Sequence, residues 1–166
     1  MDIFEFAIER EKLSEDYYRQ LADRTPHKGL ESIFLMLAEE EKKHAQVVRD
    51  MQKQPIDAVT ETTLLDDARK VFESMRQSTE TFNFDIDEPK LYEKACRIET
   101  ESETYYREKA DLSQDPKHRE IFLKLADEER KHYRLLESIC TFVSRPKWFL
   151  ENAEMYRFDD YAEGSL

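Results

Sequence analysis

The amino-acid sequence predicts an all-α protein, a four-helix bundle built from two duplicated helical hairpins. Apolar residues recur at helical spacing in four long stretches, residues 2–24, 29–53, 89–112 and 116–143. The 166 residues include only 2 glycines and 5 prolines, fewer turn residues than a sandwich or barrel of short strands needs. An internal repeat relates the first two stretches to the last two and supports the same fold class.

Helix-breaking segments divide the chain into two hairpins and a crossover. Residues 25–29 (TPHKG) interrupt the first pair of helices, and residues 113–116 (SQDP) interrupt the second. Within residues 113–116, we expect Asp115 to cap the helix that begins at Pro116. Such short connections predict antiparallel helices within each pair. The longer connection, residues 54–88, is expected to cross between the hairpins, and its middle, residues 63–82, is weakly helical.

We therefore expect one bundle domain over residues 1–143 and a C-terminal tail over residues 144–166. The tail is rich in aromatic residues, which predicts that it packs on this domain or on a partner subunit. These residues are Trp148, Phe149, Tyr156, Phe158 and Tyr161.

The repeat becomes visible when the first hairpin is shifted by 88 residues onto the second. Residues 11–44 and 99–132 then share 17 identities in 34 positions without a gap. Glu11 falls on Glu99, and the segment LAEEEKKH (37–44) falls on LADEERKH (125–132). A duplicated helical hairpin is the simplest interpretation of this pattern.

Charge and cysteine content restrict the classes of function. The formal net charge is −12, which argues against nucleic acid and anionic membranes as main partners because both are polyanions. Cys96 and Cys140 form no CxxC pair, so neither a zinc ribbon nor a disulfide framework is indicated, and we expect both to be small buried hydrophobes. The N-terminal segment has no basic region followed by a long apolar run, so we expect a cytoplasmic protein.

Each of the four helices directs one glutamate toward the common core. On a helical wheel, Glu11 and Glu99 lie in the middle of the apolar stripes of the first and third helices. Glu41 and Glu129 share their faces with the apolar residues of the second and fourth helices. Because four buried carboxylates repel one another, they require a cationic partner.

The same faces carry no lysine or arginine, but each of two helices adds a histidine. His44 and His132 follow Glu41 and Glu129 by three residues, a spacing that places both side chains on one helix face. Oxygen and nitrogen ligands without a thiolate suit iron or manganese, with zinc as a substitute. The pattern predicts two divalent ions. A single Glu-x-x-His pair would more often be a solvated helix face, and a scaffold that kept the pattern without metals is the alternative.

Several residues near the predicted ligands have two interpretations. Tyr18 and Tyr106 are either core aromatics or hydrogen-bond donors to a ligand carboxylate on a neighbouring helix. Glu15 and Glu103 are either charges at the rim of the site or additional ligands.

Other polar residues near these helices are not expected to belong to the site. Tyr17 and Tyr105 are expected to contact a helix or another subunit. We expect His27 and His118, which have no counterpart in the repeat, to occupy surface or loop positions.

The set Glu11, Glu41-x-x-His44, Glu99 and Glu129-x-x-His132 resembles the ligand pattern of rubrerythrins, in the ferritin-like superfamily of di-iron proteins. The resemblance covers about residues 1–143. It implies two iron ions per chain, with Glu41 and Glu129 as bridging ligands, Glu11 and Glu99 as terminal ligands, and one histidine per ion. It also implies reduction of hydrogen peroxide to water with electrons from a rubredoxin-type site.

Two departures from the rubrerythrin pattern affect this interpretation. The sequence lacks the paired CxxC motifs of a rubredoxin domain, so reduction requires an external electron donor such as a rubredoxin. Rubrerythrins also carry another glutamate about one turn after the ligand on the third helix, and here that position is Ser102, with Ser14 as its repeat mate. Glu103 is the neighbouring carboxylate available as a substitute.

Three functions therefore remain open at this point. The first is a peroxide or dioxygen reductase, in which Tyr18 and Tyr106 assist the chemistry. The second is a ferroxidase or other iron-handling protein. The third is a non-catalytic module in which metals hold the bundle together and the tail binds a partner. A homodimer or larger homo-oligomer is expected for this architecture.

Overall fold

A computed structural model describes residues 2–56 and 58–152, and this part of the chain is all-α, as predicted. Its six helices are α1 (Ile3–Arg24), α2 (Lys28–Lys53), α3 (Leu64–Gln77), α4 (Glu88–Leu112), α5 (Pro116–Ser144) and α6 (Pro146–Glu151). The four long helices begin and end within one residue of the predicted stretches. The fold is a ferritin-like bundle in which α1 packs along α2 and α4 packs along α5.

Local sequence signals set the ends of the long helices. Asp2 caps α1 by accepting a 2.8 Å hydrogen bond from the Glu5 backbone N–H, and the Glu5 carboxylate accepts one from the Asp2 backbone N–H, which completes a capping box. Asp115 caps α5 by accepting a hydrogen bond from the Lys117 backbone, with Pro116 in the first turn. Helix α1 ends at Arg24 because Pro26 disfavours a helical conformation of Thr25, whose backbone is extended.

The core consists of two apolar clusters separated by a polar layer. One cluster includes Leu37 and Leu135, and the other includes Val48 and Leu125. Along α2 the chain passes from the first cluster through Glu41 and His44 to the second, and α5 runs through the layer in the opposite direction. The glutamates and histidines predicted as ligands therefore lie in the middle of the bundle, sealed on both sides by apolar residues.

The crossover forms a helix that packs on the bundle. Helix α3 buries Leu65, Ala68 and Phe72 and lies against α2, α5 and α6. The approach to α2 is close, since a Cβ added at Gly29 would lie 2.6 Å from the sulfur of Met75. Glycine at position 29 therefore lets the crossover rest on the first hairpin.

The tail packs in part on its own domain. Phe149 in α6 is fully buried, with its ring 5.1 Å from Phe72 and 5.7 Å from Phe142, whereas Trp148 remains 38% exposed. The predicted contacts of the other tail aromatics, Tyr156, Phe158 and Tyr161, lie outside the described residues. No described helix is both long and apolar enough to cross a membrane.

His27 occupies the short loop between α1 and α2, one of the two kinds of position expected for it, but it is buried there. His27 precedes α2 as its N-cap residue and is only 6% exposed, because the end of the crossover folds over it. Its Nδ1 lies 3.0 Å from Glu80 and its Nε2 3.0 Å from the Asn83 carbonyl oxygen, and its ring contacts that of Phe84. The other histidine, His118, is partly buried beside the ring of Phe4.

Candidate metal centre

The six predicted ligands meet in the polar layer, and none is more than 2% exposed. They form two groups, each with four ligand atoms that all lie within 4.8 Å of one another. One group contains Glu11, Glu41, His44 and Glu129, and the other contains Glu41, Glu99, Glu129 and His132. Glu41 and Glu129 belong to both groups, so the layer has two neighbouring positions that share a pair of carboxylates.

Each histidine directs Nδ1 into this layer. His44 Nδ1 lies 3.0 Å from Glu129 Oε1 and 3.6 Å from Glu11 Oε1. His132 Nδ1 lies 2.8 Å from Glu41 Oε1 and 3.4 Å from Glu99 Oε1. The two imidazole rings are parallel within 3°, with their centroids 5.3 Å apart. His44 thus approaches Glu129 and His132 approaches Glu41, so each histidine lies beside a glutamate of the other hairpin.

The pKa values in the layer reflect burial and the crowding of carboxylates. Burial raises the pKa of Glu41 and of Glu129 well above the usual range, and repulsion from the neighbouring carboxylates raises each further. Burial alone would lower the pKa of His44 and His132, but the negative charges around them outweigh it and raise both. In the absence of another cation, protons therefore neutralise the layer.

Two tyrosines form hydrogen bonds between the hairpins, to Glu11 and Glu99. These two glutamates, which each belong to only one ligand group, are called the outer carboxylates below. The Tyr18 hydroxyl on α1 donates a hydrogen bond to Glu99 Oε1 on α4, and the Tyr106 hydroxyl on α4 donates to Glu11 Oε1 on α1. Burial opposes ionisation of Glu11 and Glu99, but a histidine and a tyrosine beside each lower its pKa below the ordinary value. Each outer carboxylate is therefore held in its ionised form, the form that ligates a metal.

The other oxygen of each outer carboxylate lacks a hydrogen-bond partner within the described chain. Oε2 of Glu11 and Oε2 of Glu99 are both buried and unpaired. Buried polar atoms are nearly always satisfied, and an unpaired one indicates a ligand or ion that completes the site. Carboxylate oxygens and imidazole nitrogens at these separations fit divalent iron or manganese. The donor set is therefore able to hold metal ions.

Comparison with known families agrees with this arrangement. The family model for rubrerythrin matches residues 2–140, most of the chain. The chain belongs to the rubrerythrin family. No curated protein and no solved structure gave a match. Rubrerythrins typically bind iron, and the glutamate and histidine groups of this chain could bind metal.

Two buried glutamates of this rubrerythrin were not predicted from the sequence. Glu128 is 2% exposed and its Oε2 lies 2.9 Å from Nε2 of His44, while its repeat mate Glu40 is 8% exposed. Each directly precedes a core-facing glutamate and so lies about 100° away from it on a helical wheel, which suggested a polar face. Their identity within the repeat, at positions 40 and 128, was the available signal.

Glu15 and Glu103 lie outside both ligand groups. Arg19 donates to Glu15 and to Glu39, at 2.8 Å and 3.0 Å, and Arg107 donates to Glu103 and Asp127, at 2.8 Å and 3.1 Å. The structure thus places the two candidate additional ligands in equivalent ion pairs at the rim of the bundle.

The two serines at the position of the extra rubrerythrin glutamate are buried between α1 and α4. Ser102 accepts a 3.3 Å hydrogen bond from Arg10, and Ser14 lines an open cavity of about 440 Å³ together with Arg10, Tyr17 and Lys94. Neither serine supplies a carboxylate.

Tyr17 and Tyr105 make contacts between helices. Tyr17 donates a 2.7 Å hydrogen bond to the Leu91 carbonyl oxygen, and Tyr105 donates a 2.8 Å hydrogen bond to that of Ile3. Both hydroxyls point away from the polar layer and tie α1 to α4.

Proposed function

We propose that this rubrerythrin binds two iron ions per chain and reduces hydrogen peroxide or dioxygen with electrons from an external donor such as a rubredoxin. The observation that carries the proposal is the pair of ligand groups that share Glu41 and Glu129. Two divalent ions would offset four carboxylates, and this sharing favours adjacent ions over a single one. Manganese would suit the same donors.

In this proposal, each metal position has one terminal glutamate and one histidine. Glu11 and His44 serve the first position, Glu99 and His132 the second, and Glu41 and Glu129 bridge them. Bound iron would supply the electrons that cleave the O–O bond of the substrate. The protein would contribute the arrangement of ligands, the exclusion of bulk water and a supply of protons.

Tyr18 and Tyr106 are proposed to hold the terminal carboxylates in position during turnover. Each hydroxyl is fully buried and donates to the oxygen that faces a histidine, leaving the other oxygen unpaired. Burial and the adjacent carboxylate raise the pKa of both tyrosines well above the usual range, so both remain protonated donors at neutral pH.

Ser102 bears on whether the ligand set can change during turnover. The serine offers no carboxylate at this position, Glu103 is paired to Arg107, and the buried Glu128 is held against Nε2 of His44. We therefore propose that a fixed set of six ligands serves the reaction and that turnover relies on no exchange between glutamate and histidine.

The decisive experiment measures metal content and peroxide consumption in parallel. We expect about two irons per chain in anaerobically purified wild-type protein and almost none in a Glu41→Ala/Glu129→Ala variant. Glu9→Gln, which removes an exposed carboxylate from α1, is the matched control and should retain its iron. Peroxide consumption with reduced rubredoxin should follow the iron content.

Other outcomes separate the competing functions. Rapid oxidation of added Fe²⁺ by dioxygen without peroxide turnover would favour the iron-handling alternative, and native mass would then distinguish a cage from a dimer. Little metal in folded wild-type protein would overturn the proposal and leave a scaffold.

A further inference from the structure

Cys96 and Cys140 form a close pair of thiols outside the polar layer. Cys96 lies on α4 and Cys140 on α5, and their sulfur atoms are 3.9 Å apart. Both are free and partly buried, and both pack against the apolar cluster that includes Leu37 and Leu135, so they differ from the expected small buried hydrophobes only in the degree of burial. The difference arises because the two side chains lie at the edge of the α4–α5 contact.

The surroundings of the pair are partly polar. Glu93 and Glu137 carry negative charge nearby, which acts to raise the pKa of the thiols: both glutamates act on Cys140, and Glu137 acts on Cys96. Partly exposed thiols are open to small oxidants, whereas cysteines sealed in a core are inert. Nothing in the arrangement of the six metal-site residues requires a thiol here, so the pair calls for a separate explanation.

We propose that Cys96 and Cys140 are a redox-active dithiol that hydrogen peroxide converts to an intramolecular disulfide joining α4 to α5. Closure would shorten the separation of the sulfur atoms from 3.9 Å to about 2 Å. Rotation of the two side chains, with a small adjustment of the helices, can provide that movement. The chemistry takes place at the sulfur atoms and does not depend on the proposed function.

The reaction proceeds in two balanced steps. The thiolate of one cysteine attacks one peroxide oxygen, an S–O bond forms, the O–O bond breaks, and the departing hydroxide takes up a proton as water. The thiol of the other cysteine then loses its proton and attacks the resulting sulfenic acid. The S–S bond forms as the S–O bond breaks, and the second hydroxide leaves as water. Two thiols are oxidised and one peroxide is reduced.

A thiol count before and after peroxide treatment tests the proposal on the full chain. Reduced, metal-free protein, in which no iron can consume the oxidant, is exposed to equimolar hydrogen peroxide, freed of oxidant, alkylated with iodoacetamide under denaturing conditions and weighed as the intact chain. We expect neither thiol of the treated chain to be alkylated and its mass to lie about two units below that of the reduced, unalkylated chain. Dithiothreitol should restore both thiols. Peptide mapping should recover the peptide that links Cys96 to Cys140.

Single variants provide the matched controls, and circular dichroism would verify that each is folded. In Cys96→Ser and in Cys140→Ser, the remaining thiol should accumulate as a sulfenic acid that dimedone traps, without an intramolecular cross-link.

Three results would overturn the proposal. They are two thiols that still alkylate after treatment, sulfinic acid without a cross-link, and a disulfide that joins two chains. Because the assay counts thiols and not metal, each of these results would leave the proposed iron site untouched.

Discussion

Nε2 of His44 lies 2.9 Å from Oε2 of Glu128, and both side chains are buried within the bundle. This contact fixes the orientation of the imidazole ring and directs Nδ1 toward Glu129 and Glu11. The repeat breaks its symmetry here, because Nε2 of His132 lacks a hydrogen-bond partner among the described residues. Glu40, the repeat mate of Glu128, lies within 4.8 Å of the histidine nitrogens but forms no hydrogen bond to them in the described chain.

Loss of the Glu128 carboxylate should weaken metal binding more than loss of Glu40. Partners of this kind orient a ligating histidine, and their removal typically costs 10–100-fold in metal affinity, so we expect a loss of about tenfold or more for Glu128→Ala. Mn²⁺ binding followed by electron paramagnetic resonance would measure it. Glu40→Ala is the matched control, and equal losses in the two variants would contradict the asymmetry.

Removal of either crossing hydroxyl should destabilise the protein. Tyr18→Phe deprives Glu99 of its donor, and Tyr106→Phe does the same to Glu11, so each variant leaves a buried carboxylate oxygen less well satisfied. We expect a loss of about 1.5–3 kcal/mol in the free energy of unfolding, measured by urea denaturation of the metal-free protein. Tyr133→Phe removes an exposed hydroxyl bonded to Glu137 and should have little effect. A comparable loss in all three variants would exclude a specific role for the buried bonds.

The stability of the metal-free protein should fall as the pH rises. Glu41 and Glu129 have pKa values raised above the ordinary 4.5, and His44 and His132 have values raised above the ordinary 6.5. Groups that bind protons more tightly in the folded state contribute full stability below their unfolded pKa and lose it as the pH passes through the folded value. The decline should therefore begin above pH 4.5 for the carboxylates and above pH 6.5 for the imidazoles.

Thermal unfolding at a series of pH values above 6.5 would measure this decline. Glu11 and Glu99 have lowered pKa values and act in the opposite sense, but only as the pH falls below 4.5. Metal must displace the protons held by the layer, so the stabilisation by added Mn²⁺ should increase with pH. A metal-free protein equally stable across this range would contradict the assignment of protons to the layer.

Neutralising the rim carboxylates should leave the metal content unchanged. Glu15→Gln and Glu103→Gln each break an ion pair to an arginine, at Arg19 or Arg107, on the partly exposed rim. Surface pairs of this type contribute about 0–1 kcal/mol, so stability should change little. Elemental analysis of both variants beside the wild type provides the measurement. Loss of iron from Glu103→Gln would instead identify that residue as the substitute for the carboxylate absent at Ser102.

The sequence was sufficient to predict the fold and to place six glutamates and histidines, although not Glu40 and Glu128, on the core-facing sides of their helices. Helical periodicity within one helix is enough to show that its predicted ligand glutamate faces the core. Prolines such as Pro26 and Pro116 mark where a helix ends or begins. The repeat doubled the weight of each signal, because a residue that is conspicuous once becomes informative when it recurs 88 positions later. Features that depend on a single helix and its counterpart in the repeat could therefore be predicted from the sequence.

Contacts that depend on how separate elements meet were not accessible in the same way. His27 is buried because the distant residues Glu80 and Asn83 fold over it. Cys96 and Cys140 are neighbours because α4 and α5 align at one register, and a helical wheel gives no register between helices. Glu128 is buried because α2 and α5 approach closely enough for it to reach His44.

The crossed hydrogen bonds of Tyr18 and Tyr106 have a consequence for how the two hairpins are held together. The first hairpin supplies Tyr18 and Glu11, the second supplies Glu99 and Tyr106, and each bond joins one hairpin to the other. A hairpin alone could close neither bond, but two identical hairpins related by a twofold axis would close both. The twofold relation between the hairpins is therefore expressed in these two bonds, and the crossover keeps the two hairpins paired within one chain.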